Sequence, residues 1–450
     1  MLKLSQLHLL PILVLLSGCA APAHNASPVG PGGPAAAFAE RAAALTSPAE
    51  LLRLHERVRI GAIETRRFTH QQYWSALEPI VDRSPHLQRE VVGRSAEGRV
   101  LQAVRYGDGP TTVLLWSQMH GDESTASMSL LDLFNLLSIS PDDPTARRIR
   151  ERLTVVVLPL LNPDGAERFQ RRNAQGIDVN RDARMLATPE GQTLRALQER
   201  YRPAFGFNLH DQNPRIRVGS TGRVAAISLL APPFDEARSY NGVRENARRL
   251  AGLLRGTAEA LVPQHVARYD DSFNPRAFGD LMQSWGTSTV LIEAGGWAGD
   301  PEKQHLRAVN FAMLINALEA IASNALTSAN AAAYEDLPEN GPLANDLLVR
   351  GGTIIVPGLP PLRADISANY NDSLRRDSAS ISDIGDLAEV VAIETVDVRG
   401  LFLHFSADGL RTTHAGPILS AGVPLSFVAR RSADPASEVV MRVENGRSQR

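Results

Sequence analysis

His120-Gly-Asp-Glu123 sets an imidazole and a carboxylate three residues apart, between an apolar run (Thr111 to Ser117) and a Ser/Thr-rich stretch leading into Leu130-Leu-Asp-Leu-Phe134. Where a strand ends and a helix begins, both side chains can turn toward one metal ion. Imidazole nitrogen and carboxylate oxygen are donors that suit zinc. The pair alone arises often by chance, so its weight depends on further groups in matching contexts. His210 ends the run Phe205-Gly-Phe-Asn-Leu209, and Glu293 follows Val290-Leu-Ile292. Two His and one Glu are three protein ligands, which leaves a fourth zinc position for water, as in catalytic sites. An unliganded Glu293 could take that water's proton and pass it to a leaving amine. Between these groups lie Arg171-Arg-Asn173 and Asp178-Val-Asn-Arg181. Arginines with an Asn in a loop could grip a carboxylate bidentately and support a developing oxyanion.

The elements that must carry these groups alternate. Helical spacing is expected over Phe38 to Val58, Gln71 to Ile80, Ser127 to Leu137, Pro189 to Tyr201, Arg244 to Leu261 and Lys303 to Leu326. Strands are expected over Leu87 to Val92, Val100 to Tyr106, Val113 to Trp116, Leu153 to Leu160, Ala204 to Leu209 and Ser288 to Ile292. Leu153-Thr-Val-Val-Val-Leu is apolar on successive residues, as in a strand buried on both faces. This order implies an α/β fold, a mixed but mainly parallel sheet with helices on both faces. In such sheets ligands gather at the carboxyl ends of strands, where His120, Glu123, His210 and Glu293 all fall. Asn162-Pro-Asp-Gly165 reads as a turn. Residues 328–342 read as a linker, and 343–440 as a small β-rich C-terminal accessory domain with short runs such as Leu401-Phe-Leu-His-Phe405.

The chain has 450 residues, enough for two domains. Its formal net charge of -2 gives no reason to expect nucleic acid as a partner. A short basic start, an apolar stretch from Leu9 to Leu16 too short to span a bilayer, and Leu16-Ser-Gly-Cys19 follow one another. That order resembles the lipobox of bacterial lipoproteins, where cleavage precedes a cysteine that is then acylated. Residues 1–18 are thus expected to be a signal peptide, Cys19 a lipid anchor, 19–37 a flexible tether and 38–326 the catalytic domain. The expected address is the cell envelope, anchored to a membrane by lipid and facing the periplasm. Cys19 is the only cysteine, so the fold must rest on its core rather than on disulfides.

Taken in order, Gly93-Arg-Ser-Ala-Glu-Gly-Arg99, His120-x-x-Glu123, Asn162-Pro-Asp-Gly165, Arg171-x-Asn173, Asp178-x-Asn180-Arg181, His210 and Glu293 resemble the zinc metallocarboxypeptidase (M14) family over about residues 70–320. The resemblance implies that His120, Glu123 and His210 bind Zn²⁺ and that Glu293 is the general base. It implies that Arg171, with Arg172 as the alternative, polarises the scissile carbonyl, and that Asn180 and Arg181 hold the substrate's terminal carboxylate. The expected activity is hydrolysis of the C-terminal bond of a peptide with a free carboxylate. Murein-peptide amidase or deacylase chemistry on the same zinc site, or a non-catalytic envelope binding protein, are the alternatives. The chain departs from the family's pattern at Tyr269-Asp-Asp-Ser-Phe-Asn-Pro-Arg-Ala-Phe278, where Tyr269 is only a loose candidate for a substrate-capping tyrosine, and at Ala294-Gly-Gly-Trp297.

Overall fold

The computed structural model describes residues 45–406 and 409–449. The expected signal peptide, Cys19 and the tether lie outside the described residues. Nine strands fall in the first part of the chain: β1 (Leu87–Arg94), β2 (Val100–Tyr106), β3 (Thr111–Ser117), β4 (Leu153–Leu158), β5 (Phe205–Asp211), β6 (Ile216–Val218), β7 (Ile227–Leu230), β8 (Val266–Arg268) and β9 (Ser288–Ala294). All but β6 join, among the described residues, one eight-stranded sheet in the order β1-β2-β4-β3-β5-β9-β7-β8. Its centre, β4-β3-β5-β9, is parallel, while β1, β2 and β7 pair antiparallel toward the edges. The sheet is mixed and mainly parallel at its core, as the alternation of elements implies.

Helices cover both faces because the central strands are apolar on both. On β3, Val113 and Leu115 pack into a core with the helices Thr125–Ile139, Gly242–Leu261 and Gln304–Ala322, whereas Leu114 and Trp116 face the helices Pro189–Tyr201 and Phe278–Ser284. Each fully buried aliphatic side chain contributes roughly 1.5–3 kcal/mol, so the two-sided burial holds the central strands firmly. Within the first core, Asp132 is wholly buried and receives Nε and Nη2 of Arg307, at 2.5 and 2.6 Å, besides the Ile60 amide and His55 Nε2, each at 2.8 Å. A buried carboxylate with this many donors is satisfied, not orphaned.

Past residue 330 the chain does not run as a free linker. β10 (Asn340–Leu343) pairs with β6, Asn340 Nδ2 donates to Gln212 Oε1 at 2.9 Å, and the Ala344 amide donates to the Arg215 carbonyl at 2.9 Å. A Pro/Ala/Asn-rich segment carries no apolar period, which is why the docking is invisible in its composition. The remainder forms β11 (Asn345–Ile355), β12 (Leu362–Tyr370), β13 (Ala379–Gly385), β14 (Ala392–Asp397), β15 (Phe402–Phe405), the hairpin β16 (Arg411–Thr413) and β17 (Gly416–Ile418), β18 (Phe427–Arg430), β19 (Val439–Glu444) and β20 (Arg447–Gln449). These, the hairpin apart, make a second sheet in the order β13-β12-β11-β15-β18-β19-β20, with β14 on β11, around its own core of residues such as Leu347, Ile366, Leu403 and Phe427.

One contact fixes the loops at the carboxyl end of the first sheet. Asn162-Pro-Asp-Gly165 is the capped start of a short helix, Pro163–Arg168, not a free turn: Asn162 Oδ1 accepts the Gly165 amide at 2.9 Å. Asn162 Nδ2 donates to the Met119 carbonyl at 3.2 Å, so the helix start is tied to the end of β3. Gly121 lies so close that an added Cβ would sit 2.0 Å from the Gly165 carbonyl carbon. Gly121→Ala must force these backbones apart and should destabilise the protein by about 1–3 kcal/mol, read as a lowered midpoint in urea unfolding. Gly61→Ala, which meets open space, is the matched control. Equal midpoints for the two variants would refute the close-packing argument.

Candidate metal centre

β3 and the loop after it deliver His120 and Glu123, β5 delivers His210, and β9 delivers Glu293. In the parallel pairing of β5 with β9, His210 and Glu293 are direct register partners. The two imidazoles meet Glu123 between them: Glu123 Oε1 lies 2.7 Å from His120 Nδ1, Glu123 Oε2 lies 2.7 Å from His210 Nδ1, and the two Nδ1 atoms are 3.2 Å apart. All three residues are buried, and their donor atoms lie within 4.8 Å of one another. His120 Nε2 faces Asp178 Oδ1 at 3.0 Å. A carboxylate can only accept, so Asp178 fixes the Nε2–H tautomer and leaves Nδ1 for a metal, the usual arrangement behind a ligating histidine.

The electrostatics fit a cation. Burial works against charge on His120, but Glu123 and Asp178 outweigh it and raise its pKa to about 9. Burial likewise opposes ionisation of Glu123, yet His120 and His210 hold it well below the usual carboxylate range. Burial lowers His210. The cluster thus favours positive charge among its donor atoms. Two His and one Glu with a single carboxylate behind them are the donor set of an open, hydrolytic metal site rather than of a closed structural one.

Glu293 stands apart from the three. Its Oε2 is buried and has no hydrogen-bond partner among the described residues, and burial, then the neighbouring Glu123 carboxylate, push its pKa well above the ordinary range. Arg171 Nη1 reaches Glu123 Oε1 at 3.1 Å, while its Nε and Nη2 fork onto Asp178 Oδ2 at 3.1 and 3.0 Å. Arg172, the alternative, points apart from Arg171 and donates to the Gly176 carbonyl at 3.0 Å. Asn180 and Arg181 line the same cavity, about 920 Å³ in volume, as His120, His210 and Glu293. Asn180 Oδ1 accepts the Phe278 amide at 3.0 Å, which locks the loop onto the helix Phe278–Ser284. Tyr269 also lines the cavity, its phenol pushed up to about 12 by burial and then by Glu293.

Two residues in the site carry no role in the sequence reading. Asp178 precedes Asn180-Arg181, and its partnership with His120 spans fifty-eight residues, beyond any local pattern. Asp280 lines the cavity from the first turn of the helix Phe278–Ser284. It is 6% exposed, accepts the Asn274 amide at 2.8 Å, and forms no ion pair among the described residues. Burial raises its pKa to about 7.

The zinc carboxypeptidase (peptidase M14) family profile matches residues 73–218, a stretch that holds His120, Glu123, Arg171, Asn180, Arg181 and His210 and stops short of Glu293. A probable carboxypeptidase 2 of Trichophyton verrucosum is 31% identical over 187 residues, covering 40% of this chain and 33% of that protein. Carboxypeptidase SOL1 of Arabidopsis thaliana is 33% identical over 98 residues, 20% of each chain. The chain thus spans about a third or less of the length of these relatives. Among solved structures, a metallo-carboxypeptidase from Pseudomonas aeruginosa aligns at 18% identity and a TM-score of 0.47, covering 58% of this chain and 70% of that one. A carboxypeptidase A from Helicoverpa armigera aligns at 15% identity and a TM-score of 0.47, covering 62% of this chain and 81% of that one. Over residues 73–218 the chain is similar to the zinc carboxypeptidase family.

Proposed function

We propose that the protein is a zinc-dependent carboxypeptidase that hydrolyses the last peptide bond of a substrate with a free C-terminal carboxylate. The observation that carries this reading is Glu293: a buried carboxylate oxygen without a partner, one strand pairing away from His210. His120, Glu123 and His210 would hold the zinc. Bound zinc supplies Lewis-acid polarisation of a carbonyl and lowers the pKa of a water toward neutrality. Glu293 accepts the proton of the attacking water, and its raised pKa suits it to hold that proton until the leaving amine takes it. Arg171, beside Glu123, aims positive charge at the oxygen on which negative charge develops. Asn180 and Arg181 present an amide and a guanidinium, which suit a terminal carboxylate.

Glu293→Gln keeps the size and the metal ligands but cannot carry a proton. It should retain stoichiometric zinc and lose at least about a thousandfold in kcat. Undiminished hydrolysis by this variant would sink the assignment of the base.

Asp280 extends the reading to the side chain of the residue released. A buried carboxylate at the cavity wall that forms no ion pair among the described residues suits a C-terminal Lys or Arg, in competition with the Arg181 and Arg244 charges that already act on it. A charge-assisted hydrogen bond of about 1.5–3 kcal/mol corresponds to a preference of roughly ten- to hundredfold over Leu. Asp280 is neutral below its pKa of about 7 and charged above it, so the preference should grow from pH 6 to pH 8. It should vanish in Asp280→Asn. A preference that ignores pH and survives in that variant would remove Asp280 from the role.

The lipobox-like Leu16-Ser-Gly-Cys19 supports a lipid-anchored address at the cell envelope. Labelled palmitate should enter the native chain in a bacterial host and not the Cys19→Ser variant; equal labelling of both would exclude acylation at Cys19.

A further inference from the structure

The cavity that holds the metal centre is not built by the first sheet alone. Tyr370 to Leu374, at the end of β12 and the start of its connection to β13, line it together with Arg66, Arg67 and Phe169. This connection is fastened at two points. Asp372 pairs with Arg66, whose side chain is nearly buried, and lies 3.5 Å from Arg67. Arg375 Nε and Nη2 reach Glu302 Oε1 at 3.0 and 2.9 Å, and the other oxygen of Glu302 accepts the Arg66 amide at 3.0 Å. Arg66 Nε donates to the Pro301 carbonyl at 3.1 Å, so one arginine clasps both segments. Within the second sheet the loop is equally set: Asp372 Oδ1 accepts the Leu374 amide at 3.1 Å, and Tyr370 OH donates to the Gly446 carbonyl at 2.9 Å.

The place of this wall follows from its neighbours. The Arg66 carbonyl accepts Ser124 Oγ at 2.6 Å, which sets Arg66 beside Glu123, at the start of the helix Thr125–Ile139. The residues suited to a terminal carboxylate and its side chain come from elsewhere: Asn180 and Arg181 from the loop locked onto Phe278, and Asp280 from that helix. A peptide held by its carboxylate at Asn180 and Arg181, with its last bond at the metal, must send its N-terminal part toward the remaining wall. Part of that wall is Arg66 and Arg67 over Phe169, the latter guanidinium 4.6 Å from the ring, continued by the β12–β13 connection; residues 212–216 line the cavity as well.

We infer that the β12–β13 connection is a length filter: the second sheet closes the N-terminal side of the cleft and restricts the enzyme to short oligopeptides. This rests on the carboxypeptidase reading above. The test is a peptide series with one common C-terminal dipeptide and N-terminal extensions from none to six residues, assayed with the zinc-loaded full-length protein. kcat/KM should fall roughly tenfold or more between tripeptide and hexapeptide, with most of the change in KM. In Asp372→Ala/Arg375→Ala, which unfastens the loop at both points, the hexapeptide-to-tripeptide ratio should rise at least about fivefold. Hydrolysis of all lengths at equal rates by the native protein would overturn the filter and leave the peptidase reading intact. So would an unchanged ratio in a double variant with native zinc content and unfolding midpoint. Failure to cleave any member of the series by zinc-loaded protein would overturn the peptidase reading and the filter with it.

Discussion

Everything at the metal centre hangs on the register of three parallel strands. Ser117 pairs with Leu209, and His210 with Glu293, across β3, β5 and β9. Side chains alternate along a strand, so a slip of one residue would turn His210 into the core and bring Leu209 or Asp211 to the site. What prevents the slip is not at the site. It is the apolar filling on both faces of these strands, where Leu114 and Trp116 serve one core and Val113 and Leu115 the other. A strand buried on both sides has no polar face to confuse with an apolar one, and its register is set by shape and by the length of its connections.

The loops that complete the site are braced with equal care, and one carboxylate links them. Asp164 Oδ1 accepts Ser95 Oγ and Arg99 Nη1, each at 2.7 Å, and its Oδ2 accepts the Glu97 amide at 3.0 Å. This gathers the turn between β1 and β2 onto the capped helix start, which in turn packs on Gly121 and through Asn162 on Met119. The backbone reaches His120 under constraint, since Gln118 is left-handed at φ 51° and its side-chain amide donates to the Gly121 carbonyl at 2.9 Å. Such a conformation persists only where its surroundings over-determine it. Residues 93–99, 118–123 and 162–165 therefore act as one rigid platform rather than as three loops.

How far this was legible from the chain depends on range. The central strands announce themselves by unbroken apolar runs, and their carboxyl ends point to His120, Glu123, His210 and Glu293 without further help. Gly93 to Arg99 could be read as a turn and as part of the family resemblance, but the brace that Ser95, Glu97 and Arg99 form with Asp164 could not. Asp178 and Asp280 escape because each earns meaning only from a partner or a cavity brought by a distant segment. The short strands β6, β7 and β8 have three or four residues each, too few for a period to show. Asn162-Pro-Asp-Gly165 carries turn residues and helix-capping residues alike, and only the following backbone tells which use is made of them.

The pairing of β10 with β6 bears on the order in which a newly made chain can finish its site. His120, Glu123, His210 and Glu293 have all been synthesised by residue 293. Yet Gln212, two residues past His210, and Ser228, the register partner of Glu293 on β7, both bond to Asn340. Until that residue has been made, Gln212 Oε1 and Ser228 Oγ lack the side chain of Asn340, and β6 lacks its pairing with β10, although the Gln212 amide already reaches the Ala294 carbonyl. The wall at Tyr370 arrives later still. Translation thus delivers His120, Glu123, His210 and Glu293 first, and residues 370–374, which line the same cavity, well after them.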